Sequence, residues 1–513
     1  MHVLLLSMPD AFEHTPTVGM CMPNGALASL AGNIDPHHTV SIADLVLVPQ
    51  AVAATVERLV REQPPDVIGL SAMTFQRRTA LRLVRRLRVW CPEATLVAGG
   101  YDPSLATDAW IGSDGVDVVV RGEGEVTFRE LLRALEAGGH DAALASIAGL
   151  TWRNGSGEVV HNPDRPAAHR LDDMLRLPNR RARVLRGYTF LGDAVDVVET
   201  SRGCTYDCSF CSIVEMRGRH FHVRDLARVI ADITDARDNG ARAIFLVDDN
   251  ITLDVKRFEA FCDAIVAAGL HGLRYIVQGM TSAFAAHGER LAPLMKRAGF
   301  EYVFLGIENV LDDDLAFLRA SAKNAERAGG RRTGNATRTA IDVLHRHGLF
   351  IVGGLIIGNP GDSAAAIEAN LAFARAHVDW PYIQHPTPYP RTPLHADVAR
   401  RGLIVNHRLE EYDGTTAVLR SEHLAADEIE FLRWKAERWM KVRHMPAVFR
   451  RRPGFVLRHA VRLLAHTFRG SSWRSVLGIE PPRTTFERYK AIRAREREYV
   501  AVAPDVERVK AEA

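Results

Sequence analysis

The sequence predicts an α/β protein built from two consecutive series of strands and helices and a helical C-terminal region. Apolar runs alternate with amphipathic stretches over residues 1–140, the alternation resumes over residues 191–424, and it stops near residue 425. Strands that alternate with helices form parallel sheets, because each crossover helix returns the chain to the same end of the sheet. We therefore expect a doubly wound, Rossmann-like domain (1–140), a connector (141–190), a partial or full (β/α) TIM barrel (191–424) and a helical basic region (425–513).

The first series is placed by the spacing of its apolar residues. Short continuous apolar runs predict buried strands, and runs with a period of 3.6 residues predict helices. The expected strands are His2–Ser7, Thr39–Ile42, Val67–Ser71, Ala94–Ala98 and Val116–Val120, and the expected helices are Val52–Glu62, Thr79–Trp90 and Thr127–Ala137. Ligands of such sheets bind beyond the carboxyl ends of the strands.

The second series contains six candidate strands, enough for a complete or partial barrel. They are Val195–Thr200, Ala243–Val247, Tyr275–Gln278, Tyr302–Gly306, Phe350–Ile357 and Tyr382–Thr387. The chemistry of such barrels lies at the carboxyl ends of the strands. A small hairpin with turn residues Asn154 and Gly155 is expected in the connector, and residues 329–338 are expected to form an exposed loop.

The composition excludes several classes of protein. The 513 residues are 47% hydrophobic and 25% charged, which excludes a disordered chain, a collagen-like chain and a coiled-coil rod. The 65 basic and 62 acidic residues nearly balance, so no nucleic-acid partner is expected. The N-terminus lacks a basic segment before its short apolar run, and no run of about 18 apolar residues occurs. We therefore expect a cytoplasmic protein without a signal peptide or a transmembrane helix.

Three of the six cysteines lie in the segment SRGCTYDCSFCS, directly after the first strand of the second series. Soft thiolates at this C-x3-C-x2-C spacing suit zinc or an iron–sulfur cluster. Structural zinc sites usually take four protein ligands in two separated pairs, and the sequence offers no fourth ligand at such spacing. Three thiolates on one tight loop can instead hold three irons of a [4Fe-4S] cluster and leave the fourth iron open. A zinc site and three unligated thiols are the alternatives.

The segment resembles the cluster loop of the radical S-adenosylmethionine (SAM) superfamily, in which an aromatic residue precedes the third cysteine as Phe210 does here. The resemblance implies that Cys204, Cys208 and Cys211 hold the cluster and that the open iron binds SAM. It also implies that an electron from the cluster cleaves SAM to a 5′-deoxyadenosyl radical. Where many members carry Gly-Gly-Glu, this sequence departs from the pattern and has two aspartates. The residues that match SAM-binding positions of the family are Phe210, Asp248, Asp249, Glu308, Gly354 and Ile357.

The segments DVIGLSAMT, LVAGGYDPS and VVRGEGEVTF of the first series resemble the cobalamin-binding domain that precedes many radical SAM barrels. Glycines in these turns would let the backbone approach the corrin edge and the nucleotide tail. The implied cobalamin contacts are Ser71, Met73, Thr74, Gly99, Gly100, Gly122, Glu123, Gly124 and Glu125. The sequence lacks the motif Asp-x-His-x-x-Gly, so the resemblance implies cobalt without a histidine ligand below it. A flavodoxin-like domain that binds no ligand is the alternative.

The C-terminal region is strongly basic. Residues 431–475 contain twelve Lys or Arg residues and one acidic residue, Glu437, with aromatic and aliphatic residues interleaved. This combination is typical of helices that lie on an anionic membrane surface, and it would place the protein at the inner face of the membrane. A helical cap over the barrel explains the same pattern equally well, and RNA binding is a third alternative.

Together, the two resemblances imply a cobalamin-dependent radical SAM enzyme that methylates an unactivated carbon of a lipid-like or secondary-metabolite substrate. The expected cofactors are a [4Fe-4S] cluster, SAM and cobalamin, with methylcobalamin as the methyl donor and a flavodoxin or ferredoxin as the reductant. Cyclisation, hydroxylation or rearrangement without methyl transfer is one alternative, and a non-catalytic cobalamin-binding regulator is another. A tRNA methylthiotransferase is disfavoured, because the cysteines before the motif stand alone. Candidate residues of the substrate cavity are Tyr188, Gln278, Arg338 and Tyr389.

Overall fold

The computed structural model describes residues 1–12, 17–166, 171–328 and 331–500. Two large sheets organise this part of the chain. The first strands are β1 (His2–Ser7), β2 (Met20–Cys21), β3 (Thr39–Asp44), β4 (Val67–Ser71), β5 (Thr95–Gly99), β6 (Val118–Val120), β7 (Leu150–Arg153) and β8 (Val159–His161). The helices among them are α1 (Gly25–Asn33), α2 (Val52–Glu62), α3 (Arg77–Trp90), α4 (Tyr101–Leu105), α5 (Thr107–Ile111), α6 (Gly124–Glu136) and α7 (Asp141–Ala145).

The first sheet has the order β3-β1-β4-β5-β6-β7-β8, and its strands from β3 to β6 are parallel. Leu4 and Leu6 of β1 face a core with α2 and α3, whereas Val3 and Leu5 face a core with α1 and α6. Burial on both faces is expected of a parallel sheet with helices on each side. The predicted doubly wound domain is confirmed. The expected hairpin is present as β7 and β8, and it extends this sheet by pairing with the edge of β6.

The second part of the described chain alternates strands and helices up to the C-terminal region. Its strands are β9 (Thr189–Phe190), β10 (Asp193–Val198), β11 (Ser201–Arg202), β12 (His222–Val223), β13 (Ala243–Leu246), β14 (Arg274–Met280), β15 (Phe300–Glu308), β16 (Ala325–Ala328), β17 (Arg331–Asn335), β18 (Phe350–Ile356) and β19 (Trp380–Gln384). Its helices are α8 (Leu171–Met174), α9 (Ser212–Arg217), α10 (Leu226–Asp238), α11 (Val255–Ala267), α12 (Thr281–Arg297), α13 (Asp312–Phe317), α14 (Thr337–Arg346), α15 (Ala364–His377) and α16 (Pro393–Arg400). The C-terminal helices are α17 (Ala426–Arg451), α18 (Pro453–Thr467), α19 (Trp473–Val476) and α20 (Pro482–Glu496).

The second sheet has the order β19-β18-β15-β14-β13-β10-β9-β2, and its strands from β10 to β19 are parallel. These strands form an open half barrel, since a closed barrel of this type requires eight strands. The predicted partial barrel is confirmed. Strand β2 comes from the beginning of the chain and pairs antiparallel with β9, which ties the two parts of the molecule together. The predicted strands of both series are present, with ends shifted by up to three residues.

The segment 329–338 differs from the expected loop. Strands β16 and β17 pair antiparallel on either side of residues 329 and 330, which lie outside the described residues, and α14 then begins at Thr337. Antiparallel pairing gives the backbone groups partners that a loop would leave to water. The segment has no apolar alternation, and this is why its sequence did not predict strands.

The C-terminal helices α17 and α18 cap the amino-terminal end of the half barrel. Val448, Phe455 and Val456 join an apolar core with Tyr302 of β15 and Phe350 of β18. Alternate residues of the same strands pack instead against the helices outside the barrel. The cap therefore fills one end of the barrel and leaves the carboxyl ends of the strands free for a site. Among the described helices, none has the length and apolar character needed to cross a bilayer.

Candidate functional site

The three motif cysteines lie on one loop beyond the carboxyl end of β10, between β11 and α9. All three are free thiols, of which Cys208 is buried and Cys204 and Cys211 are half-buried. Burial raises the pKa of Cys208 to about 11 and that of Cys211 to about 12. The side-chain amide of Asn250 donates to the Sγ of Cys204 at 3.8 Å, a contact that suits a metal-bound thiolate. This donor set fits a soft metal cluster.

The cysteine loop is held by backbone hydrogen bonds and apolar packing. The N–H of Ser209 donates to the carbonyl of Leu318 at 2.9 Å, and the N–H of Leu394 donates to the carbonyl of Ser209 at 2.8 Å. The half-buried ring of Phe210 packs into the apolar clusters around Leu318 and Leu394. In the structure, Phe210 therefore anchors the loop between the end of α13 and the start of α16.

The two aspartates that follow β13 have different surroundings. Asp248 is buried, and its carboxylate accepts hydrogen bonds from the hydroxyls of Thr200 (2.7 Å) and Ser201 and from the N–H of Thr200 (3.2 Å). Burial raises the pKa of Asp248 to about 6. Asp249 accepts a hydrogen bond from the N–H of Gly203 at 2.7 Å and lines a cavity. Of the pair, Asp249 faces a space that a ligand can enter, and Asp248 supports the base of the cysteine loop.

Glu308 lies at the carboxyl end of β15, close to the cysteine loop. It has a positive φ of 58°, which is unusual for a residue with a side chain, and its Oε1 lies 2.5 Å from the Nζ of Lys323. Burial alone would lower the pKa of Lys323, but the Glu308 carboxylate raises it above its ordinary value. The positive charge of Lys323 lowers the pKa of the Cys208 thiol, and the negative charge of Glu308 raises it. A carboxylate is thus held beside the cysteine loop, and its role in binding ligand hydroxyls stays a prediction.

The other two predicted SAM-binding positions lie on and after β18. A Cβ on Gly354 would lie 3.0 Å from the ring of Phe304, so these strands pack without room for a larger residue. Ile357 is buried in the core outside the barrel, its N–H donates to Gln384 at 3.0 Å, and its carbonyl accepts from His385 at 3.1 Å. The side chain and the backbone of Ile357 are thus both used within the protein, and its contact with SAM stays a prediction.

A cavity of about 580 Å³ lies between the carboxyl ends of the two sheets. Its wall includes eight of the nine residues predicted to contact cobalamin, namely Ser71, Met73, Gly99, Gly100, Gly122, Glu123, Gly124 and Glu125. The ninth, Thr74, is buried and is not among the described residues that line the cavity. From the second sheet, Val247, Asp249 and Tyr382 contribute to the wall. The two domains therefore share one cavity.

Two glycines shape the wall of this cavity. Gly100 has a φ of 95°, and a Cβ there would lie 3.0 Å from the Oγ of Ser71. Gly122 has a φ of 71°, and a Cβ there would meet no described atom within 4 Å. Residues other than glycine rarely adopt such conformations. Bare backbone at these turns fits the close approach of a large, flat ligand.

Buried ion pairs that the sequence analysis did not predict join the two domains beside the cavity. Arg202, from the cysteine motif, contacts Glu125 at 2.6 Å and Glu199 at 2.7 Å. Burial alone would raise the pKa of Glu125, but the Arg202 guanidinium holds it at about 2. Arg217 contacts Glu123 at 3.4 Å. The only signal in the sequence was the opposite charge of the SRGC and GEGE segments, which does not reveal that they face each other.

The four candidate substrate residues lie in different places. Tyr188 is buried, and its hydroxyl donates to Asp44 at 2.8 Å. Arg338 is exposed on α14 and forms an ion pair within that helix, whereas Gln278 is half-buried on β14. Tyr389 packs in a small apolar cluster beside the cysteine loop. None of the four is among the described residues that line the shared cavity, and their place in a substrate site stays a prediction.

Two segments of the chain match known protein-family models. Residues 15–132 match the B12 binding domain, and residues 198–374 match the Radical SAM superfamily. The first match contains the glycine-rich turns of the cavity wall. The second begins at the last residue of β10 and contains the cysteine loop.

Three curated relatives are similar to this chain. An uncharacterized methyltransferase of Pyrococcus horikoshii is 27% identical over 91% of this chain and 99% of its own length. The anaerobic magnesium-protoporphyrin IX monomethyl ester cyclase of Rubrivivax gelatinosus is 26% identical over 78% of this chain and 73% of its own length. The hopanoid C-3 methylase of Methylococcus capsulatus is 31% identical over 48% of this chain and 46% of its own length.

The fold is similar to that of one solved protein over most of both chains. The radical S-adenosylmethionine methyltransferase TsrM from Kitasatospora setae, solved with cobalamin and a [4Fe-4S] cluster bound, superposes with a TM-score of 0.63. The match covers 79% of each chain at 20% identity. At 20% sequence identity, this structural similarity is evidence for the fold alone.

Proposed function

Since this chain belongs to the radical SAM enzymes that carry a B12 binding domain, we propose that it is a C-methyltransferase that acts on an unactivated carbon. Enzymes of this kind use a [4Fe-4S] cluster, SAM and cobalamin. The observation that carries the proposal is the contact between the shared cavity and the cysteine loop. Asp249 lines the cavity and accepts the N–H of Gly203, the residue before Cys204. A substrate held in this cavity would therefore meet the groups of both domains.

When bound, the cluster and SAM supply a radical that removes a hydrogen atom from the substrate, and cobalamin supplies the methyl group. We assign cluster binding to Cys204, Cys208 and Cys211. Asp249 and Glu308 are the carboxylates that would accept hydrogen bonds from the amino and hydroxyl groups of SAM. The bare backbone of the turns at 99–100 and 122–124 would lie against cobalamin.

The chain contributes to this chemistry by seating the reactants and excluding water. Apolar side chains, among them Met8, Phe12 and Phe75, line the cavity on the side of the first domain. Such a lining holds few water molecules, which protects a reactive carbon radical from side reactions. The ion pair between Arg202 and Glu125 fixes the cysteine motif against the first domain. We infer that this contact keeps the two halves of the site in register.

We further propose a small substrate of lipid-like or secondary-metabolite character. The apolar cavity wall and the similarity to a hopanoid methylase support this substrate class. A flavodoxin or ferredoxin would supply the electron from the exposed side of the cysteine loop, where Asp207 and Arg219 are accessible. Contact of the C-terminal helices with the inner face of the membrane would bring a cytoplasmic enzyme to such a substrate.

Cyclisation without methyl transfer is the second candidate function. This candidate is supported by the match to an anaerobic magnesium-protoporphyrin IX monomethyl ester cyclase, which covers 78% of the chain. The two functions differ in one product, because methyl transfer converts SAM into S-adenosylhomocysteine and cyclisation does not. The same protein preparation can therefore distinguish them.

The test is an anaerobic turnover experiment with protein reconstituted with iron, sulfide and cobalamin. The reaction mixture also contains a low-potential reductant, SAM labelled in its methyl group and a small-molecule extract of the source organism. We expect 5′-deoxyadenosine, S-adenosylhomocysteine and a product that carries the label. Cys208→Ala should abolish 5′-deoxyadenosine and the labelled product, which both require the cluster, whereas Cys91→Ala, at a half-buried cysteine outside the motif, should retain them. 5′-Deoxyadenosine without S-adenosylhomocysteine would favour the cyclase, and an active Cys208→Ala variant would refute the cluster assignment.

A further inference from the structure

The C-terminal helices expose an unusual concentration of apolar side chains. Of the 17 large apolar side chains that are exposed among the described residues, ten lie between residues 439 and 479. They are Trp439, Val442, Phe449, Leu457, Val461, Leu464, Trp473, Val476, Leu477 and Ile479. Single exposed apolar residues are ordinary on a protein surface, but a contiguous group of them marks an interaction site.

The exposed residues of α18 lie on one side of that helix. Leu457, Val461 and Leu464 are 70%, 81% and 53% exposed, and their spacing of four and three residues places them in one stripe. The opposite side of α18 is buried, since Phe455 and Leu463 pack into the core at the end of the half barrel. The helix is therefore apolar on both sides, and the cap explains only one of them.

Helix α17 continues this stripe. Trp439, Val442 and Phe449 follow one another at intervals of three and seven residues, which also places them on one side of a helix. The ring of Trp439 lies 6.5 Å from that of Phe468, one residue after α18, so the exposed sides of the two helices adjoin. We call the two stripes together the outer face.

Unpaired cations surround the outer face. Lys435, Arg443, Arg450, Arg458 and Arg462 are exposed, and within the described ranges none of them forms an ion pair. Residues 438–479 contain no acidic side chain. The acidic residue just before them, Glu437, is buried and is used by Arg433 at 2.6 Å and Lys441 at 3.8 Å. The outer face is thus apolar and positively charged at once.

We propose that the outer face docks onto a lipid bilayer that contains anionic lipids. The apolar stripes would enter the region between head groups and acyl chains, and the arginines would contact lipid phosphates. A second copy of the chain fits the face poorly, since pairing two such faces brings like charges together. RNA also fits less well, because Trp439 and Phe449 offer rings for base stacking but the two most exposed side chains of the face, Leu457 and Val461, are aliphatic. The benefit of docking to the enzyme rests on the proposed function, since an enzyme with a lipid-like substrate would reach that substrate from the bilayer.

The test is flotation of the full-length protein with lipid vesicles. Vesicles of phosphatidylcholine with about one third phosphatidylglycerol should carry the protein upward, and vesicles of phosphatidylcholine alone should bind it at least tenfold less. Each cation at an anionic surface contributes about fivefold to binding, so Arg458→Gln with Arg462→Gln should weaken binding by more than tenfold. Leu457→Glu with Val461→Glu should have an effect at least as large. Val89→Glu, at a 73% exposed valine on α3 of the other domain, is the matched control and should bind like the wild type.

Two results would overturn the proposal. One is equal flotation of the wild type and both double variants, or no flotation of any of them. The other is a wild-type dimer in light scattering that Leu457→Glu with Val461→Glu converts to a monomer, which would assign the outer face to a second copy. The substituted side chains are mostly exposed, so thermal unfolding should match the wild type. Because flotation requires neither cofactors nor turnover, its failure would leave the methyltransferase proposal untouched.

Discussion

The buried contact between Glu125 and Arg202 offers a quantitative prediction about how the two domains are joined. Glu125 belongs to the first domain and Arg202 to the cysteine motif, and both side chains are almost fully buried. Glu125→Gln keeps the size of the side chain and removes its charge. The guanidinium of Arg202 would retain Glu199, at 2.7 Å, and Glu123 of the first domain, at 3.3 Å, but would lose its shortest contact across the domain interface.

The size of the effect follows from the pKa of Glu125. Arg202 holds this pKa at about 2, against an ordinary value of 4.5. A difference of about 2.5 units corresponds to about 3 kcal/mol at neutral pH. This is at the lower end of the 3–5 kcal/mol range typical of breaking a buried ion pair, as expected when two other carboxylates, Glu199 and Glu123, remain on Arg202. Because the folded-state pKa is depressed, the stabilisation is complete above pH 4.5 and is lost as the pH falls toward 2.

The assay is amide hydrogen exchange of α6 and of the segment that leads into the cysteine loop. A loss of about 3 kcal/mol in the local opening free energy should accelerate exchange by about 150-fold at pH 7. Urea unfolding should show the difference between variant and wild type shrinking between pH 4.5 and pH 2. Glu136→Gln, at an exposed ion pair on the same helix, is the control and should exchange like the wild type. Exchange of Glu125→Gln within threefold of the wild type would refute the reasoning.

Two further predictions concern the glycine-rich wall and the SAM site. Gly100→Ala should lower the free energy of unfolding by about 1–2 kcal/mol in urea titrations, because φ is 95° and the new Cβ would lie 3.0 Å from Ser71. Gly361→Ala, with open space around it and no positive φ, should be neutral, and equal losses in the two variants would contradict this account. Glu308→Gln should weaken SAM binding by about tenfold in equilibrium dialysis, because it removes a charge-assisted hydrogen bond. Unchanged SAM affinity in that variant would remove Glu308 from the site.

The sequence predicted the fold well because its signals are local. Apolar runs and helical periods mark each strand and helix, and the order of the elements then determines a parallel sheet. The cysteine loop could also be predicted from the sequence, since its three thiols lie within eight residues. The glycine turns of the cavity wall could be predicted for the same reason, because each lies directly after a strand.

The parts that could not be predicted depend on contacts between distant segments. Nothing local to Arg202 shows that it faces Glu125, and nothing local to Ile357 shows that the ring of His385 is hydrogen-bonded to the Ile357 carbonyl. The residue types of Tyr188 and Arg338 suit contact with a substrate, and in the structure the two residues form a buried hydrogen bond and a surface ion pair. Residue type predicts what a side chain can do, whereas its partner in the fold decides what it does.

If one cavity between the two domains seats cobalamin beside the cysteine loop, a bulky side chain in the wall of that cavity should weaken the binding of cobalamin in a titration. Met73→Trp would place a large side chain in the cavity wall, whereas Met174→Trp changes an exposed methionine on α8 outside that wall. We expect absorbance titrations to give at least tenfold weaker cobalamin binding for Met73→Trp and wild-type binding for Met174→Trp. Equal affinity of all three proteins for cobalamin would contradict this expectation.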